Sequence, residues 1–406
     1  MLITPERAYA IVLKQVRPLK AAPVSLAYAT GCCLAEDVRA ERDLPPVDNS
    51  AMDGFAVRYV DLKKFPVTLP LVGEMAAGQK ESFKVKAGTC ASIMTGASVP
   101  AGADTVVQIE HTRPQDDSVT FLKSPAKGKG ANIRLRGHIA AKRQVVLHKG
   151  TVLDGPQIGV CAAMGVDPAR VYGRPKIAIV NTGRELFSGK GQIKKHQIRD
   201  SNGPTLASAL EAAGFDHFKR MVLPDDPVII ARKIESVFAK VDVVMVTGGV
   251  SVGKYDYVPE AVRSSGGKIH FHGIAMKPGK PQLYATLPGN RHIFGLPGNP
   301  LSGLVGFYEF VLPALRILSG YGEEQCRPAW RLPLAATVKP RGPRLEYKLA
   351  KLTDSGNGFS LKTIPCEGSS DLVAGSHADG MAIIPRDGRK CRAGSLVEFR
   401  PWRTLL

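Results

Sequence analysis

Two rhythms of apolar and polar residues run along this chain, and they change places near Pro175. From Pro66 to His148 the short runs PVTLPLVG, TCASIMTG, DTVVQIE, SVTFLK and QVVLHKG are separated by Gly, Pro, Asp and Lys, the spacing of a small all-β unit. Helical periods frame that unit. Ala8, Ile11, Val12 and Val16 follow the cap and first-turn pair Thr4 and Pro5, and a second helix is predicted from near Pro156 to Gly165. After Pro175 strands and helices alternate. KIAIVNTG reads as a strand, and SNGPTLASALEAAG as a helix capped by Ser201 or Asn202 and stopped by Gly214. DDPVIIARKIESVFA reads as a helix with Pro227 in its first turn, and VDVVMVTGG as a buried strand ended by Gly248 and Gly249. That βαβ rhythm predicts a parallel sheet covered by helices. Beyond Gly320 the short-strand rhythm returns in RLPLAATV, RLEYKLAKL, GFSLKTI, DGMAIIP and SLVEFRP, predicting a second all-β domain.

Charge narrows the classes of partner. Lys and Arg number 55 against 36 Asp and Glu, a formal net charge of +19, which favours a phosphate ester, an oxyanion, nucleic acid or a membrane surface. Lys123 to Lys149 holds eight basic residues and no acidic one. Tyr and Trp are missing there and no recognition motif accompanies the charge, so no specific nucleic-acid binding is expected. The seven cysteines are scattered without a Cys-x-x-Cys pair and read as reduced structural thiols. The N-terminus has no apolar signal core, and no stretch is read as approaching the roughly 18 apolar residues of a membrane span. A cytoplasmic protein with no membrane contact is the expectation.

In open parallel α/β sheets, ligands sit beyond the carboxyl ends of the strands. There the chain carries Thr182 with Glu185, then Asp225, and then the low-bulk loop from Thr247 to Asp256, which contains Gly248, Gly249 and Ser251. MKPGKP sets Lys277 and Lys280 on a proline and glycine framework. GLPGNPLSGLVGFYEFVLPALRIL leads into an apolar helix capped by Asn299 with Pro300 in first position, whose free N–H groups could hold an anion. Upstream, Thr95 ends an apolar strand, and Asp53 and Gly54 form the tip of a turn prepared by Asp48, Asn49 and Ser50. Each feature also has an ordinary reading as a tight turn, a surface lysine or a capped helix. Taken together, carboxylates at 185, 225 and 256, joined by Asp53 and flanked by Lys277 and Lys280, suit magnesium shared with substrate phosphates. The matching chemistry is hydrolysis or transfer at a phosphate ester or anhydride. No Gly-x-x-x-x-Gly-Lys-Ser/Thr loop is present, and no serine nucleophile elbow or Cys–His pair stands out. His270 and His272 share a face of a predicted strand but lack the third ligand zinc needs.

PPVDNSAMDGFAV, TGASVPAGADTVV, NTGREL, QIRDSN, DDP, GGVSVGKYD, MKPGKP and LPGNPLS follow one another in an order that resembles the molybdopterin molybdenumtransferases, called MoeA in bacteria and represented in animals by the gephyrin E domain. The resemblance covers nearly the whole chain. It implies a multidomain α/β plus β architecture in four parts. These are an elongated helical and β domain from 1–47 and 138–172, an inserted β domain at 48–137, a three-layer α/β domain binding the molybdopterin nucleotide at 173–322, and a C-terminal β barrel at 323–406. The implied reaction inserts molybdenum from molybdate into adenylylated molybdopterin, with magnesium-dependent hydrolysis of the pyrophosphate link and release of AMP. Residue by residue, Asp53, Thr95, Glu185, Asp225, Asp256, Lys277, Pro297, Pro300 and Ser369 match functional positions of the family. Asp53, Glu185, Asp225 and Asp256 are the expected catalytic set, the last three also the metal ligands. Thr182, Ser201, Asn202, Gly248, Gly249, Ser251, Lys280 and Asn299 join Thr95, Lys277, Pro297, Pro300 and Ser369 as expected substrate contacts. The resemblance also implies a homodimer in which the Asp53 loop reaches the partner's α/β site, with a molybdopterin adenylyltransferase and molybdoenzyme chaperones as protein partners.

Three positions depart from the pattern. After NIRLRG, where relatives often carry an acidic residue, the chain reads Gly137, His138, Ile139 and is one residue short. Four positions before Lys277, Gly273 stands in place of a lysine. In RLEYKL, Leu349 aligns with the family's arginine. Leucine cannot supply a guanidinium's fork of donors to an oxyanion, and His272, Lys348 and Arg344 are the candidates to compensate. The alternatives are a catalytically degenerate paralogue that binds the cofactor as a carrier or assembly partner, and an enzyme that inserts tungstate.

Overall fold

Continuous apolar runs become the strands of the central sheet because both faces of those strands are covered. The computed structural model describes residues 2–79, 83–187, 189–223, 232–233, 236–237, 239–249, 258–340, 342–354, 356, 358–385 and 390–402. They fall into two compact units, one made of 1–35, 150–154 and 168–406, the other of 36–149 and 155–167. Most of the predicted helix DDPVIIARKIESVFA lies outside the described residues, as do Asp225, Ser251 and Asp256.

In the first unit a six-stranded sheet runs in the order Phe218–Leu223, Ile177–Thr182, Val243–Thr247, Arg291–Leu296, Leu283–Leu287 and Lys268–His272. The first four strands are parallel, and Leu283–Leu287 runs antiparallel to both of its neighbours. Every residue of Ile177–Thr182 and Val243–Thr247 is buried, as expected for strands enclosed on both sides. Helix Asn202–Ala212, the helical run from Pro300 to Leu318 and the N-terminal helix Pro5–Gln15 pack on one face. Helix Val258–Ser264 packs on the other. Thr4 caps the N-terminal helix as predicted, its hydroxyl accepting the Arg7 N–H at 3.2 Å.

The run from Pro300 to Leu318 corrects one expectation. It has 19 residues and is, by length and composition, apolar enough to cross a membrane, yet most of it is buried inside the protein. A helix surrounded by core is apolar all round for the same reason a membrane span is. It also holds a charge no span would carry unpaired, Glu309, which sits in a π-helical turn at Phe307–Val311 and is fully buried.

The C-terminal sheet runs Met276–Lys277, Leu345–Asp354, Gly380–Ile384, Leu396–Pro401 and Trp330–Pro333, with Phe359–Thr363 also paired to Leu345–Asp354. A bridge between Leu334 and Leu361 brings its two edges back toward each other around Leu361, Ala382 and Phe399. In the second unit, the six-stranded sheet is Thr105–Gln108, Gly54–Val57, Cys90–Ile93, Val67–Met75, Ser118–Phe121 and Thr112–Pro114. The predicted run QVVLHKG does not join it: Val145–Leu147 pairs instead with Val38–Arg39. Gly54 is both the end of the expected turn and the start of a central strand, where a Cβ would lie 2.0 Å from the Val107 carbonyl oxygen.

A buried histidine gives the fold an acid limb. His292 is 1% exposed, receives or donates at Nδ1 to the Tyr284 hydroxyl at 3.0 Å, and meets Asn290 Oδ1 through Nε2 at 3.1 Å. Burial first, then the charge of His270, lowers its pKa from 6.5 to about 4. Below the unfolded value the unfolded chain binds the extra proton, so stability present above pH 6.5 drains away as pH falls toward 4, by roughly 3 kcal/mol in all. Urea unfolding followed across that window should show the loss, and His292→Gln should flatten it. An equally steep acid limb in the variant would contradict the assignment.

Candidate functional site

Lys277 occupies a two-residue strand that pairs in parallel with Leu345 and Glu346, so the MKPGKP loop is pinned to the edge of the C-terminal sheet. The loop after Arg291–Leu296 carries Pro297 and Asn299 toward the same place, and the turn after Phe359–Thr363 brings Ser369. Together they line a cleft of about 1040 Å³. Lys277, Lys280, Pro297, Asn299 and Ser369 were all expected to contact substrate and all line it. Pro300 opens the adjoining helix as expected.

The cleft is cationic. Lys277, Lys280, Lys339, Arg344 and Lys348 face two acidic lining residues, Glu346 and Glu367. Glu346 neutralises one cation, lying 3.1 Å from Lys348 Nζ, and Arg344 Nη1 donates to the Met276 carbonyl at 3.2 Å, tethering the guanidinium beside Lys277. Lys277 and Lys280 are exposed. Lys339 was not read from the sequence, because nothing local marks a lysine in a proline-flanked loop as a site residue. His272, one of the three candidate compensators, is not among the lining residues.

Asn299 stands at the helix cap position, but its side chain makes no cap hydrogen bond. Its amide donates instead to Ser369 Oγ at 2.8 Å, and the Leu301 N–H donates to the Ser369 carbonyl at 3.1 Å. Part of the expected free N–H array is therefore already used by the protein. Leu349 is 6% exposed and packs with Leu301, Ala374 and Ala378 as an apolar wall. Lys348 precedes it on the strand and so projects to the opposite face, which prevents it from simply taking over Leu349's direction.

Gly273 has a structural cause of its own. Its φ is +100°, and a Cβ there would lie 2.7 Å from Leu2 Cδ2, because the N-terminal segment is held alongside by the bridge from Ile3 to Ile274. A lysine at this position would need both another backbone conformation and a displaced Leu2.

A second group of expected residues gathers at the carboxyl ends of the parallel strands. Thr182 is buried and its hydroxyl donates to the Thr247 carbonyl at 3.4 Å. Gly248 has φ +83°, and a Cβ there would meet the Thr182 carbonyl oxygen at 2.3 Å; Gly249 also has positive φ. The helix at 202 is capped by neither expected residue: Asp200 Oδ1 accepts the Gly203 N–H at 2.9 Å, whereas Ser201 makes no side-chain cap bond. Asp200 also accepts from Asn181 Nδ2 at 3.1 Å, and the same amide nitrogen reaches Thr247 Oγ1 at 2.8 Å. Asn202 donates to the Gly298 carbonyl at 2.7 Å, fixing the loop that carries Asn299. Asp200 and Asn181 were missed, although an acid three residues before the first free helical N–H is a legible cap signal.

Glu185 is exposed in the turn after Ile177–Thr182. Among the described residues no group of three or more His, Cys, Asp or Glu side chains is placed to hold a metal. Asp53 and Thr95 belong to the other compact unit. There Asp53 Oδ1 accepts the Thr95 N–H at 2.6 Å, and that bond, followed by one from the Thr95 hydroxyl, holds the carboxyl below the usual range. Asp53 is thus an anion at neutral pH rather than an acid. His138 is exposed in a turn closed by its N–H to the Leu135 carbonyl at 3.0 Å.

Comparison with known proteins places these features in one family. Residues 3–165 match the MoeA N-terminal region (domain I and II), 178–317 the probable molybdopterin binding domain, and 331–402 the MoeA C-terminal region (domain IV). The chain is 39% identical over 303 residues to the molybdopterin molybdenumtransferase of Nostoc sp., spanning 73% of this chain and 69% of that one. It is 31% identical over 392 residues to the Staphylococcus aureus (strain MSSA476) protein of the same name, spanning 96% and 93%. The crystal structure of the molybdopterin biosynthesis moea protein from Pyrococcus horikosii superposes with a TM-score of 0.82 at 28% identity, covering 100% of both chains.

Gly273→Ala should lower stability by about 1–2 kcal/mol in urea unfolding, since an L side chain is strained at that φ. Adding Leu2→Ala should recover the part due to the contact and leave the strain. An alanine variant as stable as the parent would show that the backbone at 273 is free to change.

Proposed function

The chain belongs to the MoeA family of molybdopterin molybdenumtransferases, enzymes of molybdenum cofactor biosynthesis, and on that premise we propose that it inserts molybdenum from molybdate into adenylylated molybdopterin with release of AMP. The observation that carries this reading is the cationic cleft, where Lys277, Lys280 and Arg344 surround a space large enough for an oxyanion beside a phosphorylated ligand. Lysines there act as point charges on phosphate or molybdate, and the Arg344 guanidinium supplies directed donors. The Gly248 and Gly249 backbone, free of side chains, allows close approach of the nucleotide at the strand ends.

Hydrolysis of the pyrophosphate link adds water across a P–O–P bond, leaving AMP and the molybdopterin phosphate. In this reading Glu185 offers an exposed hard oxygen donor near the ligand, and Asp225 and Asp256 complete the acidic set. Magnesium commonly takes one or two carboxylates and fills its shell with substrate phosphates and water, so this donor set fits it. Bound there it would supply Lewis-acid polarisation of the phosphate oxygens. Asp53, kept ionised by Thr95, would serve a partner subunit's site in a homodimer. An adenylyltransferase would deliver the substrate, and molybdoenzyme chaperones would receive the product in the cytoplasm.

Leu349 favours a second reading. An apolar residue where the family resemblance implies an arginine offers an oxyanion no guanidinium donors, and suits a carrier that binds the cofactor without making it, or an insertase with altered preference between molybdate and tungstate. One assay separates these. Purified protein with adenylylated molybdopterin, magnesium and molybdate should release AMP and incorporate molybdenum, and Glu185→Ala should lose both. Tight nucleotide binding with neither signal would overturn the insertase in favour of the carrier. Hydrolysis without molybdenum uptake, restored by tungstate, would assign the other metal.

A further inference from the structure

We infer that Asn299 is a positioning residue that makes the Ser369 hydroxyl an oriented donor to the anion in the cleft, a step that rests on the anion-binding reading above. A serine hydroxyl has one hydrogen and two lone pairs. Asn299 Nδ2 occupies one lone pair at 2.8 Å, which turns the hydroxyl hydrogen away from Asn299. The Leu301 N–H on the Ser369 carbonyl holds the residue's backbone at the same time, so the segment 299–301 grips Ser369 once at its hydroxyl and once at its carbonyl oxygen. Both Asn299 and Ser369 line the cleft beside Lys277 and Lys280. Of the two directions then left for the hydrogen, an anion in that space selects the one toward itself.

Two further contacts support a positioning role. Asn299 sits where a helix cap would stand, yet its side chain makes no cap bond and its Nδ2 donates to Ser369, so the side chain is turned toward the serine rather than over the helix end. Behind it, Asn202 Nδ2 fixes the Gly298 carbonyl at 2.7 Å, and Asp200 anchors the turn that carries Asn202. Lysines place charge without direction, whereas a hydroxyl fixed at its oxygen supplies direction. In a cleft whose Leu349 wall offers no donor, Ser369 adds such direction to that of the Arg344 guanidinium.

The test is a double-mutant cycle read in molybdate affinity by isothermal titration, with the thermal midpoint recorded for each protein. Asn299→Ala should weaken molybdate binding about five- to tenfold, the loss of roughly one directed hydrogen bond. In a Ser369→Ala background the same change should alter affinity less than about twofold. Ser369→Thr, which keeps the hydroxyl, should retain binding. Asn299→Leu is close to isosteric, uncharged and without a donor and, in the same cycle, isolates the coupling if the alanine variant is unstable. Equal losses in both backgrounds, with either replacement, would overturn the proposal. A wild-type protein that binds no molybdate would instead overturn the reading of the cleft itself.

Discussion

Glu309 is the constraint on which the arrangement of the α/β and C-terminal sheets depends. Its carboxylate, fully buried, accepts from Arg400 Nε at 2.8 Å, Arg327 Nη1 at 3.0 Å and the Tyr347 hydroxyl at 3.3 Å. Those donors come from three places: the strand Leu396–Pro401, the strand Leu345–Asp354 and the residue that follows helix Glu323–Cys326. Arg327 in turn lies 3.7 Å above the Tyr9 ring of the N-terminal helix. Removing one partner of a buried ion pair leaves an uncompensated charge at a cost of about 3–5 kcal/mol. Burial, and then the charge of Glu309, raises the pKa of Tyr347 well above its ordinary value, so its hydroxyl remains a donor at any physiological pH. The π-helical turn at 307–311 is where the long helix departs from regular geometry to carry this carboxylate.

The cleft follows from that anchor. The helix that carries Glu309 begins at Pro300, and the strand that carries Tyr347 continues to Leu349, so both walls grow from the same locked junction. Leu301 and Leu349 close the apolar side, while the Asn299 and Ser369 contact joins the two sheets' loops on the polar side. Cations thus surround a space whose walls meet at a buried charge about two and a half helical turns beyond Pro300. Such placement costs nothing at the moment of binding, which is the advantage of fixed donors over water.

Much of this was legible in the amino-acid order, and the rest was not for identifiable reasons. Ile177–Thr182 and Val243–Thr247 are continuous apolar runs, which only a doubly covered strand explains, and Gly248 announces a close approach to Thr182. Lys277 and Ser369, matched to the family's functional positions, and Asn299, read as a helix cap, do share one cleft. Glu309 was invisible because a single acid in an apolar helix carries no local sign of partners at 327, 347 and 400. Asp200 was passed over for Ser201 and Asn202, since adjacent cap-forming residues compete for one role and only geometry chooses. The length of the apolar run from Pro300 was underestimated because Gly, Pro and Tyr interrupt it on paper but not in the packed core.

Diffraction from crystals grown with tungstate, recorded at an energy where tungsten scatters anomalously, tests the central claim most directly. A single strong peak is expected in the cleft, within hydrogen-bonding reach of Ser369 Oγ and Lys277 Nζ. A peak found only elsewhere on the protein, with the cleft empty at saturating tungstate, would contradict it.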